Sequence, residues 1–211
     1  MKHVRMKITM LVLMIACLLF TGCGVLRSDA VTVNPLPDTT MDNLTDAILA
    51  VSLAEGDAYV DDTGKMQMDL KIYTYDKYDM VDVAALEKGD SIVTHAGKVK
   101  IKSVDRNAEG VICINGGVEK GGLNLVTEDE GIFYAVDENN AKHWYEAGEA
   151  TIRVSVDFKG HDYADPEQGE VLLYPGSFLI NEVTNYNFTP YNTTIRVENG
   201  QIVELHRLYV D

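Results

Sequence analysis

The chain has 211 residues, with 18 basic and 33 acidic side chains and a formal net charge of −15. A field of that sign repels phosphate backbones and anionic headgroups, which argues against nucleic-acid binding and against a polybasic membrane contact. The length suffices for one large or two small domains with a hydrophobic core, so the 3 cysteines are not needed as staples.

Lys2, Arg5 and Lys7 precede an apolar run from Ile8 to Phe20. The run is too short to span a bilayer as a helix and has the layout of an export signal. Phe20-Thr21-Gly22-Cys23 follows at once, a hydrophobic residue and two small ones before a cysteine. This box resembles the lipobox of bacterial lipoproteins, with Phe20 where leucine is usual. The resemblance implies a signal peptide over residues 1–22, cleavage after Gly22, and a diacylglyceryl thioether on Cys23. Two acyl chains anchor a protein stably where one does so only marginally. The expected product is therefore lipid-anchored on the extracytoplasmic face of the membrane. Residues 1–22 carry three basic and no acidic side chains, so the remainder holds 15 basic against 33 acidic residues, a net −18. Cys17 leaves with the signal and Cys23 takes the lipid, which leaves Cys113 without a disulfide partner.

Residues 23–42 include Pro35, Pro37, Ser28, Asp29 and Asp38 without periodicity, and read as the lipidated N-terminus and a flexible tether. A single β-rich domain is expected from 43 to 211. Within Asn43 to Leu53 the alternation of Leu49, Val51 and Leu53 predicts a strand. The turn Asp61-Asp62-Thr63-Gly64 then leads into the strictly alternating Met66, Met68, Leu70 and Ile72, as if the two strands formed a hairpin. Asp82 to Gly89 reads as one helical turn, capped by Asp82 and ended by Gly89. Short strands are predicted over Ser91–Thr94, Lys98–Val104, Val111–Ile114, Leu123–Thr127 and Ile132–Val136. Thr151–Asp157 alternates Ile152, Val154 and Val156 with polar residues, and a polar loop is predicted from Phe158 to Gly169. Strands are then expected over Glu170–Tyr174, Phe178–Val183, Thr193–Val197 and Gln201–Val210, the last two joined at Asn199-Gly200. Short strands punctuated by turns predict a mainly β fold, an antiparallel β-sandwich or barrel with little helix.

Leu86, Gly89-Asp90, Ile92, a hairpin and then Leu123-Asn124-Leu125-Val126-Thr127 resemble a sortase barrel, where a strand of the type Leu-x-Leu-x-Thr-Cys delivers the nucleophile. Here Glu128 follows Thr127. A carboxylate cannot replace that thiolate, so the resemblance speaks to a barrel shape alone. Cys113 sits between Ile112 and Ile114, where a lone cysteine behaves as a small buried hydrophobe. Pro175-Gly176-Ser177-Phe178 lacks the second glycine of a Gly-x-Ser-x-Gly elbow.

Two groups of residues remain as candidate binding sites. Asp162, Asp165 and Glu167, in an acidic loop, can offer oxygens to Ca²⁺, which takes six to eight of them. Aromatic residues, Trp144 and Tyr145 foremost, can line a groove for an envelope glycan or protein partner. The expected function is that of a surface lipoprotein with a non-catalytic binding or structural role. The alternative is an envelope-acting hydrolase or transpeptidase, to be recognised by a histidine such as His143 or His161 meeting a carboxylate or Cys113.

Overall fold

The computed structural model describes residues 29–210 except 109, 128–130, 138–140, 181, 182, 184 and 185. The expected export signal, Cys23 and Glu128 lie outside the described residues. The strands are β1 (Thr32–Val33), β2 (Ala47–Ser52), β3 (Ala58–Val60), β4 (Met66–Thr74), β5 (Lys77–Asp79), β6 (Ser91–Thr94), β7 (Gly97–Lys100) and β8 (Val104–Arg106). They continue with β9 (Ile112–Ile114), β10 (Leu123–Thr127), β11 (Ile132–Val136), β12 (Tyr145–Asp162), β13 (Val171–Leu173), β14 (Thr193–Glu198) and β15 (Gln201–Arg207). Helix is confined to α1 (Met80–Ala84), α2 (Pro175–Leu179) and a 3-10 turn at Val118–Lys120.

Five strands close into a barrel. β4 pairs with β2, β2 with β14 and β14 with β15, all antiparallel. β15 runs parallel to β12, and β12 returns antiparallel to β4. The closure rests on the length of β12, whose first half pairs with β4 and whose second half pairs with β15. Between Val154 and Lys159 its register against β15 shifts, and the strand bends there. Val156, expected on the core face with Ile152 and Val154, falls in this irregular stretch and is 84% exposed. Three consecutive strands with the next one beside the first make a Greek key, and five-stranded Greek-key barrels include the OB-fold.

Inward side chains fill the barrel. Met66, Met68, Leu70 and Ile72 of β4 are buried as their alternation predicts, with Leu49, Val51, Ile152, Val154, Phe158, Ile195, Ile202 and Leu205. The chain between β4 and β12, joined by β1 from ahead of the barrel, forms a second lobe, with a five-stranded antiparallel sheet in the order β5-β11-β10-β9-β8 and a three-stranded sheet β1-β6-β7. Its core gathers Tyr78, Val83, Leu86, Ile92, Ile101, Ile114, Leu125 and Phe133.

Several local expectations are corrected. The expected tether is part of the fold from Val31 onward: β1 pairs with β6, Val33 is buried, and Asp90 Oδ1 accepts from the Val31 amide at 2.7 Å. The Asp61–Gly64 turn joins β4 to β3, whereas β2 pairs with the other end of β4. α1 is capped by Asp79, whose Oδ1 accepts from the Val81 amide at 2.7 Å, and not by Asp82. α2 replaces the start of the expected strand at Phe178, because Pro175 fixes a helical φ in the first turn and Ser177 Oγ accepts from the Tyr174 amide. Phe158 to Asp162 belongs to β12, with Phe158 in the core, so the polar loop begins only at Tyr163.

β12 and β15 end on a buried ion pair. Arg207 and Asp162 are register partners, both pointing inward, and Arg207 Nε donates to Asp162 Oδ1 at 2.8 Å while Nη2 donates to Oδ2. The guanidinium lies 4.2 Å from the Phe188 ring centroid. Removing one member of such a pair leaves an uncompensated buried charge, whereas replacing both with apolar residues is often neutral. Asp162→Ala is expected to lower stability by about 3 to 5 kcal/mol in urea unfolding. Asp162→Leu with Arg207→Met is expected to recover most of that loss; a double variant as unstable as the single one would contradict the argument.

Candidate functional site

Two clusters gather most of the side chains suited to chemistry. The first lies where the barrel meets the lobe. The period of two along β4 continues past its end, burying Ile72, Thr74, Asp76 and Tyr78 in turn. Ile72 belongs to the barrel core and Tyr78 to the lobe core, so the polar Thr74 and Asp76 form the seam between them. Asp76 Oδ2 accepts from the His95 amide at 2.8 Å and lies 3.0 Å from His95 Nδ1. The His95 ring stacks on Tyr145, with centroids 4.3 Å apart, and meets His143 edge-on at 5.0 Å. Tyr75 packs edge-on against Trp144 and Tyr134, and Lys142 Nζ sits 4.2 Å from the Tyr75 centroid while donating to its hydroxyl.

Trp144 and Tyr145, read from the sequence as groove residues, are thus half-buried parts of this junction. Burial chiefly, with the negative charges of Asp76 and Asp38 beside it, pushes the Tyr145 hydroxyl up to about 12. A pKa raised from the ordinary value of 10.0 contributes stability that is whole below pH 10 and is lost as pH rises through 12. Burial raises the Tyr78 hydroxyl as well, so a tyrosinate absorbance titration is expected to show several late-ionising tyrosines, and Tyr145→Phe to remove one of them. An unchanged titration curve in that variant would contradict the assignment.

The second cluster lies on the outer face of the barrel. The parallel register that pairs Asp162 with Arg207 inward also pairs His161 with His206, and these point outward. Their rings stack with centroids 4.7 Å apart and planes 13° from parallel. Glu204, two residues before His206, shares that face. Glu204 Oε1 lies 3.2 Å from His206 Nε2 and 3.4 Å from His161 Nε2, while Oε2 accepts from Arg196 Nε at 2.8 Å. Behind His161, Nδ1 stands 2.6 Å from Glu170 Oε1. The His161 hydrogen bond holds Glu170 below the ordinary carboxylate range, and the Arg196 hydrogen bond does the same for Glu204.

The loop carboxylates expected for Ca²⁺ are not brought together. Asp162 turns into the barrel onto Arg207, and Asp165 accepts from the Glu167 amide and from Gln168 Nε2 within its own turn. Among the described residues, one group of three or more metal-ligating side chains converges, and it is His161, Glu204 and His206. Calcium at millimolar concentration is expected to leave the thermal midpoint unchanged; a rise would restore the loop as a site.

Cys113 is half-buried where a buried thiol was expected, because Ile112 and Ile114 take the inward positions of β9. Its register partners are Asp105 and Asn124. The sequence reading placed Glu204 in no site. Glu204-x-His206 on an alternating strand was a signal of a shared face, but nothing local announced that β12 would lie beside it.

A shallow open groove crosses β4 and β12, lined by Asp57, Asp69, Lys71, Glu149 and Thr151. Lys71 Nζ lies 3.1 Å from Glu146 and 3.7 Å from Glu149, and Asp69 accepts from the Thr151 hydroxyl at 2.6 Å. No protein-family model, curated protein or solved structure matches this chain.

Proposed function

We propose that this chain is a membrane-anchored bacterial surface lipoprotein whose β-domain has a non-catalytic binding or structural role in the cell envelope. The observation that carries this reading is the junction cluster. Asp76, His95, Tyr145, Trp144, Tyr75 and Lys142 have one another as partners and join the two cores, so groups suited to catalysis serve here to hold the lobes together. The ligand face under this reading is the groove on β4 and β12. Its net acidic lining suits a cationic surface on an envelope partner. No helix among the described residues is long and apolar enough to cross a membrane, and the anchor proposed is the lipid on Cys23. A hydrolase is the second reading, favoured by the contact of His161 with Glu170, which has the parts of an acid–base pair.

Cys23→Ala is expected to move the protein from the membrane fraction to the soluble one without changing its melting midpoint. Mass spectrometry of the membrane-bound form should find Cys23 as the N-terminus with added lipid mass; an unmodified Cys23 there would sink the anchor. In pull-downs from envelope extracts, Asp69→Asn with Glu149→Gln is expected to reduce recovery of the partner at unchanged stability, whereas Trp144→Ala should lower the melting midpoint. Equal recovery by the groove variant and the parent would remove the groove from the proposal.

A further inference from the structure

We propose that the outer face of the barrel carries a binding site for a zinc-type divalent transition-metal ion, held by His161 Nε2, His206 Nε2 and Glu204 Oε1. One ligand atom from each of the three residues lies within 4.8 Å of the other two, on two strands whose ladder fixes their spacing, and the stacked imidazoles turn about Cβ–Cγ to aim both lone pairs at one ion. Zinc binds imidazole nitrogen and carboxylate oxygen at about 2.0 to 2.2 Å, so ligands at the corners of a tetrahedron stand about 3.3 to 3.5 Å apart. The separations of Glu204 Oε1 from the two nitrogens are 3.2 and 3.4 Å.

The surroundings of each ligand fit the same reading. Glu170 Oε1 at 2.6 Å from His161 Nδ1 takes that nitrogen's proton as a hydrogen bond and leaves Nε2 with its lone pair toward the cluster, the carboxylate–histidine arrangement that orients metal-binding imidazoles. Arg196 Nε occupies Glu204 Oε2 and turns Oε1 toward the histidines. The side chains of His206, Glu204 and His161 are 43, 25 and 22% accessible, so an ion can enter from solvent. Two imidazoles and one carboxylate select against Ca²⁺ and Mg²⁺, which take oxygen ligands. Three protein ligands leave a fourth position for water or for a donor from a partner. The site depends on neither the lipid anchor nor the groove.

The test is a titration of the full-length, metal-stripped chain with Zn²⁺ in competition with a chromophoric chelator, and in parallel with Co²⁺ followed by visible absorption. One equivalent of Zn²⁺ is expected to bind, with a cobalt spectrum of tetrahedral intensity. His161→Ala and His206→Ala should each weaken binding at least 100-fold and abolish that spectrum. Glu170→Gln should weaken it by about 10- to 100-fold. Asp165→Ala and His143→Ala should leave it unchanged. Circular dichroism checks that each variant folds, and His206→Asn replaces the alanine variant if that one does not. Zinc should also raise the parent's melting midpoint but not that of the His161 and His206 variants. Absence of zinc binding by the parent, or equal affinity in folded His161 and His206 variants, would overturn the proposal.

Discussion

An eighteen-residue strand can serve two neighbours only if it bends, and most of this domain follows from the way β12 does so. Its first half continues the antiparallel ladder with β4. Its second half, beyond the irregular stretch after Val154, lies parallel to β15 and closes the barrel. Closure removes two exposed edges and encloses the inward side chains of five strands in one core. The same register decides both faces at the end of the strand. Asp162 and Arg207 meet inside, where a charge needs a partner, and His161 and His206 meet outside, where they share Glu204.

The lobe enters between β4 and β12, which are neighbours in the barrel, so its two ends leave side by side and the barrel ladder stays intact. Two apolar cores could have merged there. They are separated by Thr74 and Asp76, which take the inward positions of the alternation where one core ends and the other begins. Buried polar groups persist when their hydrogen bonds are made, and Asp76 accepts from the His95 amide with the imidazole beside it. The seam explains the clustering of histidine, tyrosine and tryptophan at positions that look like a ligand groove in the linear chain. Aromatic rings with polar edges suit a junction that is apolar on both sides and polar in the middle.

Much of the fold class was legible because side-chain alternation is local. Met66 to Ile72, Leu123 to Thr127 and Ile132 to Val136 each announce their strand, and the Asn199-Gly200 turn announces the last hairpin through two residues with positive φ. The errors fall where tertiary contact or helix-start chemistry overrode the apolar pattern. Phe158 and Asp162 lie among polar residues and read as loop, yet the barrel supplies a core for one and Arg207 for the other. Phe178 reads as strand because apolar residues follow it, yet Pro175 and the Ser177 hydroxyl start a helical turn before it.

The sequence by itself determined a mainly β chain, its acidic surface and the positions of most strands and turns, because composition and a period of two need no knowledge of partners. It offered Asp162 as a metal ligand and His161 as a base to be met by a carboxylate or by Cys113. Only the tertiary structure decided that β12 runs parallel to β15, which turns Asp162 inward onto Arg207 and sets His161 beside His206 and Glu204. Strand pairing across long sequence separations is fixed by closure of the whole barrel and the burial it achieves. No window of residues contains that energy.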